Sequence, residues 1–324
     1  MSMMPHYDFV VLGSGIAGLA AAHTLTEAGK TVLVLDKGRR IGGRVSTKRV
    51  TTKDGHSFVF NHGAQFLTAR DPGFAPICDN AQSQNSLANW HLDDRSALIG
   101  TPFMRAFPMF LGRDLEIRQD CEITAIHRTD NGFTFASDDG VIASAAGAII
   151  TAPAPQTANL ISDIAPELIA SAKAAHYAPC WTALFGFATP PLGADVTDPS
   201  GTIRDSGIIG WAGWENARPG NEAALYGLTI QASAEWSAAH IEQEKPENIA
   251  ALKSAYEQAS GITLPAPSYS AAHRWRYAKV ITPTPAEMPR LSDCRNVAIA
   301  GDWLGGARIE HAYLSGKMAG ASVL

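Results

Sequence analysis

The segment from Phe9 to Asp36 constrains this 324-residue chain more than any other feature. Phe9-Val-Val-Leu12 is a short, wholly apolar run of the kind that parallel sheets bury on both faces. Gly13-Ser14-Gly15-Ile16-Ala17-Gly18 follows, then an Ala- and Leu-rich helix over 19–28 with Gly29 placed to cap it. Thr31 to Leu35 reads as a second buried strand, ending on Asp36. Strand, glycine turn, helix, strand and acid in this order predict a dinucleotide-binding unit. Gly13 permits the tight turn, Gly15 admits a pyrophosphate to the backbone, and Gly18 lets helix and strand pack closely. The helix start offers free N–H groups and a positive dipole end to phosphate. Asp36 is placed to accept hydrogen bonds from the adenosine ribose hydroxyls.

Composition narrows the function classes. Apolar residues make up 46% of the chain and charged residues 18%, which fits an interior-rich enzyme and not a charge-driven binder. A formal net charge of −5 argues against a nucleic-acid partner. Cys78, Cys121, Cys180 and Cys294 form no CxxC pair, so a reducing, cytoplasmic setting is expected. The start, Met1 to Asp8, lacks the layout of a signal peptide, and the longest apolar tract, Phe9 to Ala22, is glycine-broken and too short to span a membrane. None of the ten histidines stands in an HxxxH pair, so no metal is expected, and no Gly-x-Ser-x-Gly nucleophile motif occurs.

Asp36-x5-Gly42-Gly43-Arg44 resembles the amine-oxidase-like flavoprotein superfamily, in which this stretch forms a second loop over the diphosphate of FAD. The resemblance implies non-covalent FAD, with Gly43 and Arg44 as phosphate or flavin contacts. Lys37, Arg39, Arg40, Arg44, Lys48 and Arg49 crowd residues 37–49, and either a cofactor contact (Lys37) or a solvated basic loop accounts for them. Residues 122–152 alternate as a three-stranded β-meander with turns at Asp130-Asn-Gly132 and Asp138-Asp-Gly140. In the superfamily such a meander leaves and rejoins the main sheet, which places the Ile123 backbone against the adenine. Val297 to Ala300 reads as another buried strand, Gly301-Asp302 follows, and residues 310–320 look helical. By the same resemblance Asp302 binds the ribityl chain. The helix start around Ile309, Glu310 and Ala312 then points N–H groups at the flavin N1/C2 carbonyl.

The expected fold class is α/β: a Rossmann-type FAD-binding domain with a β-meander, of glutathione-reductase type, plus a smaller α+β substrate domain with an antiparallel sheet. The expected boundaries are 1–75, 112–165 and 269–324 for the first, and 76–111 and 166–268 for the second. Strands are expected at Cys180–Phe187, Gly207–Trp211, Ala224–Ile230 and Tyr269–Arg276, with a helix over Pro246–Ala259. Five of the seven tryptophans fall between 181 and 275, suited to aromatic walls or to ordinary core packing.

Further motifs make the chain resemble bacterial renalase-like flavoproteins over nearly its whole length. They are His62-Gly63-Ala64-Gln65-Phe66 with Thr68-Ala-Arg-Asp71, Thr151-Ala-Pro-Ala-Pro-Gln156, Glu235-Trp-Ser237, Ala272-His273-Arg-Trp275 and Gly301-Asp302-Trp303. That group's implied activity is oxidation of 2- or 6-dihydro isomers of NAD(P) to NAD(P)+, with electrons passed from FAD to O2. Gly63, Ala64, Gln65 and Phe66 are then expected at the cofactor. Gln65, Phe66, Trp181, Trp211, Gln231, His273, Trp275 and Trp303 are expected to line the substrate pocket. Hydride transfer needs no general base, so no catalytic side chain is assigned. Trp214 and Glu215 stand where the resemblance leads one to expect a basic stretch, which predicts no preference for a 2′-phosphorylated dinucleotide. A histidine expected near Gln231 is missing, and His311 replaces a glycine. Flavin amine oxidase and redox-inactive FAD protein are the alternatives. The nine lysines include Lys173, Lys245 and Lys253 in the substrate lobe, all in polar or helical contexts, which weakens the amine-oxidase alternative.

Overall fold

Val32–Leu35 is apolar on both faces of the strand, so it needs cover on both sides, and the chain buries all four residues inside a parallel sheet. The computed structural model describes residues 5–92, 95–221 and 225–324. The first part runs β1 (His6–Leu12), α1 (Ile16–Glu27), β2 (Val32–Leu35), β3 (Thr47–Thr51), β4 (Ser57–Asn61), α2 (Ala75–Ser83), β5 (Leu87–Leu92), β6 (Arg95–Gly100), α3 (Ala106–Leu111) and β7 (Glu116–Arg118). β8 (Ala125–Thr129), β9 (Gly132–Ser137), β10 (Gly140–Ile150), α4 (Ala154–Leu160) and α5 (Ile169–Ala174) follow. The remainder is β11 (His176–Phe187), β12 (Ile203–Ser206), β13 (Ile209–Trp214), β14 (Tyr226–Ala232), α6 (Ala234–Ala239), α7 (Lys245–Ser260), β15 (Tyr269–Thr282), β16 (Val297–Ile299) and α8 (Ile309–Ser322).

A seven-stranded sheet has the order β7-β2-β1-β10-β9-β8, with β16 also beside β10. β7, β2, β1, β10 and β16 run parallel, while β8, β9 and β10 form the antiparallel meander. α1 and α8 cover one face and touch backbone to backbone: a Cβ on Gly316 would lie 2.0 Å from the Ala17 carbonyl oxygen. A second sheet, β12-β13-β14-β11-β15, is wholly antiparallel. α7 packs on one of its faces through Leu252 and Tyr256, among Trp181, Phe185 and Trp214.

The fold class is the expected one, and the differences are local. α1 starts at Ile16 and not at 19, because Gly15 already serves as its N-cap. The strand expected at Gly207–Trp211 is a hairpin of β12 and β13 that turns at Gly207, whose φ of +57° suits the turn. β14 begins at Tyr226, while Ala224 of the expected strand lies outside the described residues, as do Met1–Met4. β15 continues to Thr282, beyond the expected end at Arg276, and is the edge strand of the second sheet beside β11. No helix among the described residues is long and apolar enough to cross a membrane.

Candidate functional site

The glycine turn closes through contacts that only glycine permits. A Cβ on Gly18 would lie 1.8 Å from the Gly13 carbonyl oxygen. α1 therefore begins hard against β1, and no side chain caps its first turn, which leaves the N–H groups of Ile16, Ala17 and Gly18 to an anion. A Cβ on Gly15 would meet no atom within 4 Å, and one on Gly43 would sit 3.5 Å from the Gly15 Cα. The Gly42 N–H donates to the Ser14 carbonyl at 2.9 Å and so holds the second glycine loop over the first. These two loops make a cradle of bare backbone whose chemistry fits a diphosphate.

Asp36, the residue expected at the ribose, holds the turn. Its carboxylate accepts from the Ser14 N–H, from the Ser14 hydroxyl at 2.7 Å and from the Gly38 N–H at 2.6 Å. An ionised carboxylate has about four acceptor sites, so about one is left for a further donor. Ile123 lies two residues beyond Cys121, whose N–H donates to the Asp36 carbonyl at 2.9 Å. Lys37 departs from expectation: its ammonium turns outward to Glu122 at 3.4 Å, because both side chains lie on the exposed surface.

Arg44 and Asp302, 258 positions apart, form a bidentate pair at 2.8 and 2.7 Å. Burial alone would lower the Arg44 guanidinium, but the Asp302 carboxylate more than offsets it and holds it above its ordinary value. Arg44 also lies 5.9 Å from the centroid of Tyr177, whose hydroxyl accepts from the Ala154 N–H at 3.1 Å. α8 opens with Arg308 as N-cap and no side-chain cap. The Glu310 side chain is buried, and it accepts from the backbone N–H groups of Arg70 and Asp71 at 3.1 and 2.8 Å. That clamps the loop of residues 62–71 onto the first turn of α8.

The other end of this loop is held by the second sheet. A Cβ on Gly63 would lie 1.9 Å from the Arg44 carbonyl oxygen, and the Ala64 N–H donates to that carbonyl at 2.9 Å. Gln231 Nε2 donates to the Gly63 carbonyl at 2.7 Å, and Trp275 Nε1 to the His62 carbonyl at 2.8 Å. Gln231 and His273 both stand opposite Thr182, and Trp275 stands opposite Cys180. Directly opposed residues share a face, so these side chains form one wall. His62 stacks on Trp275 at 5.5 Å and meets His273 edge-on at 5.1 Å. Burial, then the neighbouring His273, drives His62 down to about 3, and burial drives His273 down to about 4. Both imidazoles are neutral near pH 7, and neither is hydrogen-bonded to a carboxylate or ammonium among the described residues.

Behind the loop lies a buried ion pair. Glu215 accepts from the Asn61 N–H at 2.9 Å, Asn61 Nδ2 at 2.8 Å and the Thr229 hydroxyl at 2.6 Å, and pairs with Arg218 Nε at 2.8 Å. Arg218 in turn donates to the Gln65 carbonyl at 2.9 Å and to the Gln65 side-chain oxygen, while Gln65 Nε2 donates to the carbonyls of Asn61 and Gly63. Every polar atom of the Gln65 amide is engaged, so Gln65 shapes the loop.

Two expected pocket residues, Trp181 and Trp303, lie elsewhere. Trp181 is 1% exposed and faces α7, its Nε1 donating to the His240 carbonyl; strand alternation sends it away from its neighbour Thr182. Trp303 is fully buried in the core of the first sheet, with its Nε1 on the Ala152 carbonyl at 3.3 Å. Trp211 stands opposite Gln231 and so shares the face of the wall, buried with the Arg218 guanidinium 5.2 Å from its ring. Phe66 is half-buried in the cluster with Leu67, Phe74 and Phe107. Trp214 and Glu215, which stand where a basic stretch was expected, are both buried. Trp214 packs in the α7-side core with its Nε1 on the Tyr256 hydroxyl at 3.0 Å, and Glu215 is neutralised within the ion pair. His62, Thr182, Tyr177 and Arg218 were not assigned roles from sequence, and only His62, inside a quoted motif, carried a signal.

A family model for flavin-containing amine oxidoreductases matches residues 94–324, and one for NAD(P)-binding Rossmann-like domains matches residues 11–80. Over 103 residues, 32% of this chain and 24% of the relative, the chain is 34% identical to (S)-6-hydroxynicotine oxidase of Paenarthrobacter nicotinovorans. Over 43 residues, 13% of this chain and 9% of the relative, it is 56% identical to putrescine oxidase of Kocuria rosea. The chain thus spans a quarter or less of these curated relatives' length. Among solved structures, the protein assigned as a protoporphyrinogen oxidase from Exiguobacterium sp. 255-15 superposes with a TM-score of 0.72 at 14% identity, over 100% of this chain and 99% of that one. Cyclohexylamine oxidase from Brevibacterium oxydans gives 0.69 at 12% identity, over 98% and 99%. These last two likenesses concern the fold alone.

Proposed function

Because the chain belongs to the flavin-containing amine oxidoreductase family, we propose that it oxidises the dihydropyridine ring of a nicotinamide dinucleotide, a 2- or 6-dihydro isomer, with O2 as final acceptor. The observation that carries this reading is the wall of His62, His273 and Trp275, three flat rings kept uncharged and without an acid–base partner. FAD, the cofactor of the family, supplies a two-electron acceptor when bound in the cradle of Gly13–Gly18, Gly42-Gly43 and Asp302. A dihydropyridine loses a hydride with no accompanying proton, so the wall has only to bind the ring, orient it and keep water off. The balance is dihydropyridine, O2 and one proton giving pyridinium and hydrogen peroxide. The four unpaired cysteines support a cytoplasmic setting.

Amine oxidation is the second reading. It is supported by relatives named for amine substrates and by aromatic walls that also suit an amine. Aerobic incubation with each substrate class separates the two. The account expects one peroxide per pyridinium formed from a dihydropyridine isomer. Peroxide from amines, with the dihydropyridines untouched, would overturn it.

A further inference from the structure

Phe103 carries two guanidinium groups: Arg49 lies 4.1 Å from its ring centroid and Arg105 5.8 Å. Arg105 is only 7% exposed. Its backbone N–H is held by the Thr47 hydroxyl at 3.1 Å, and its Nη1 reaches the Thr47 carbonyl at 3.3 Å. No carboxylate pairs with it among the described residues. The contrast within this chain is direct, since buried Arg218 pairs with Glu215 and Arg44 with Asp302. A buried cation lacking a counter-charge is costly, and further cations beside it raise that cost. Burial, then Arg40, then Arg49, holds the Arg105 guanidinium below its ordinary value, with no acid opposing them.

The cluster also adjoins the site. A Cβ on Gly42 would lie 3.4 Å from Arg105 Cγ, and the charge of Arg105 bears on His62. Thr47, which holds Arg105, donates its hydroxyl to Asn61 at 2.8 Å, one residue before His62.

We propose that Arg105 and Arg49 form an anion subsite for a diphosphate group. Planar guanidinium forks match phosphate oxygens bidentately, and the Phe103 face holds two of them in place. Two sources of diphosphate are available. FAD has its own backbone cradle, so the subsite falls to the dinucleotide substrate; that attribution rests on the function proposed above.

The test is calorimetric titration of the FAD-loaded protein with inorganic pyrophosphate, for the native chain, Arg105→Gln and Arg49→Gln. Arg39→Gln, at a side chain 88% exposed and outside the cluster, is the control. The native chain should bind one pyrophosphate. Affinity should fall at least tenfold in both cluster variants and stay unchanged in the control, with FAD content constant throughout. If Arg105→Gln does not fold, the exposed Arg49→Gln decides alone. Absence of binding, equal binding in all variants, or tighter binding of orthophosphate than of pyrophosphate overturns the subsite. Loss of FAD in parallel with pyrophosphate assigns the arginines to the cofactor and overturns the substrate attribution. No turnover is required, so pyrophosphate binding without dihydropyridine oxidation sinks the function proposed above and leaves the subsite standing. Oxidation without pyrophosphate binding does the reverse.

Discussion

His62 and His273 are bases that the fold keeps uncharged, and this has a stability consequence. Their folded values of about 3 and about 4 lie below the ordinary histidine value, so as the pH falls the unfolded chain takes up protons first. Their contribution is complete above about pH 6.5 and declines as the pH falls towards 4 and then 3, at up to about 1.4 kcal/mol per pH unit for each ring. The melting temperature should therefore drop between pH 6.5 and 4, and His62→Asn should flatten that drop; parallel curves for the two proteins would contradict it. Glu215 and Arg218 allow a second prediction. Arg218→Met leaves a buried carboxylate without its cation and should cost about 3–5 kcal/mol in denaturant unfolding. A loss under about 1 kcal/mol would mean that the loop does not depend on the pair. Neither role was legible in the sequence. Whether a histidine is neutral depends on burial, and Glu215 stood in a short turn with no periodicity to show that it points inward.

At the scale of elements, the two glycines flanking the helix start have separable jobs. Gly15→Ala places a methyl group where diphosphate approaches, yet it touches nothing in the protein. It should leave the FAD-free protein's melting temperature unchanged and weaken FAD affinity at least about tenfold, a loss of 1.4 kcal/mol or more. Gly18→Ala, 1.8 Å from a carbonyl oxygen, should damage the fold itself. Equal melting-temperature losses in both variants would refute the distinction. The β1-α1-β2 unit could be read from sequence because each of its signals is local: apolar runs, glycine spacing, a terminal acid. The second sheet was legible only as separate strands. Which face each presented depended on pairing, and pairing put Thr182 rather than Trp181 on the wall with Gln231 and His273. β15 was read too short, because it continues past Arg276 along β11 with no turn residue to mark an end.

For the whole molecule, the loop of residues 62–71 is the joint between the second sheet and α8. One end lies on Arg44 and is bonded to the second sheet through Gln231 and Trp275, and the other is bonded to α8 through Glu310. The FAD cradle and the neutral aromatic wall are thereby fixed relative to one another by hydrogen bonds. The central claim is that this joint presents a dihydropyridine for plain hydride transfer. Anaerobic rapid mixing of the FAD-loaded protein with a 2- or 6-dihydronicotinamide dinucleotide, from pH 6 to 9, tests it most directly. The wall's histidines stay neutral over that range, so loss of the yellow flavin absorbance should proceed at a nearly constant rate. Bleaching by amines alone, accelerating steeply with pH as the neutral amine becomes available, would contradict it.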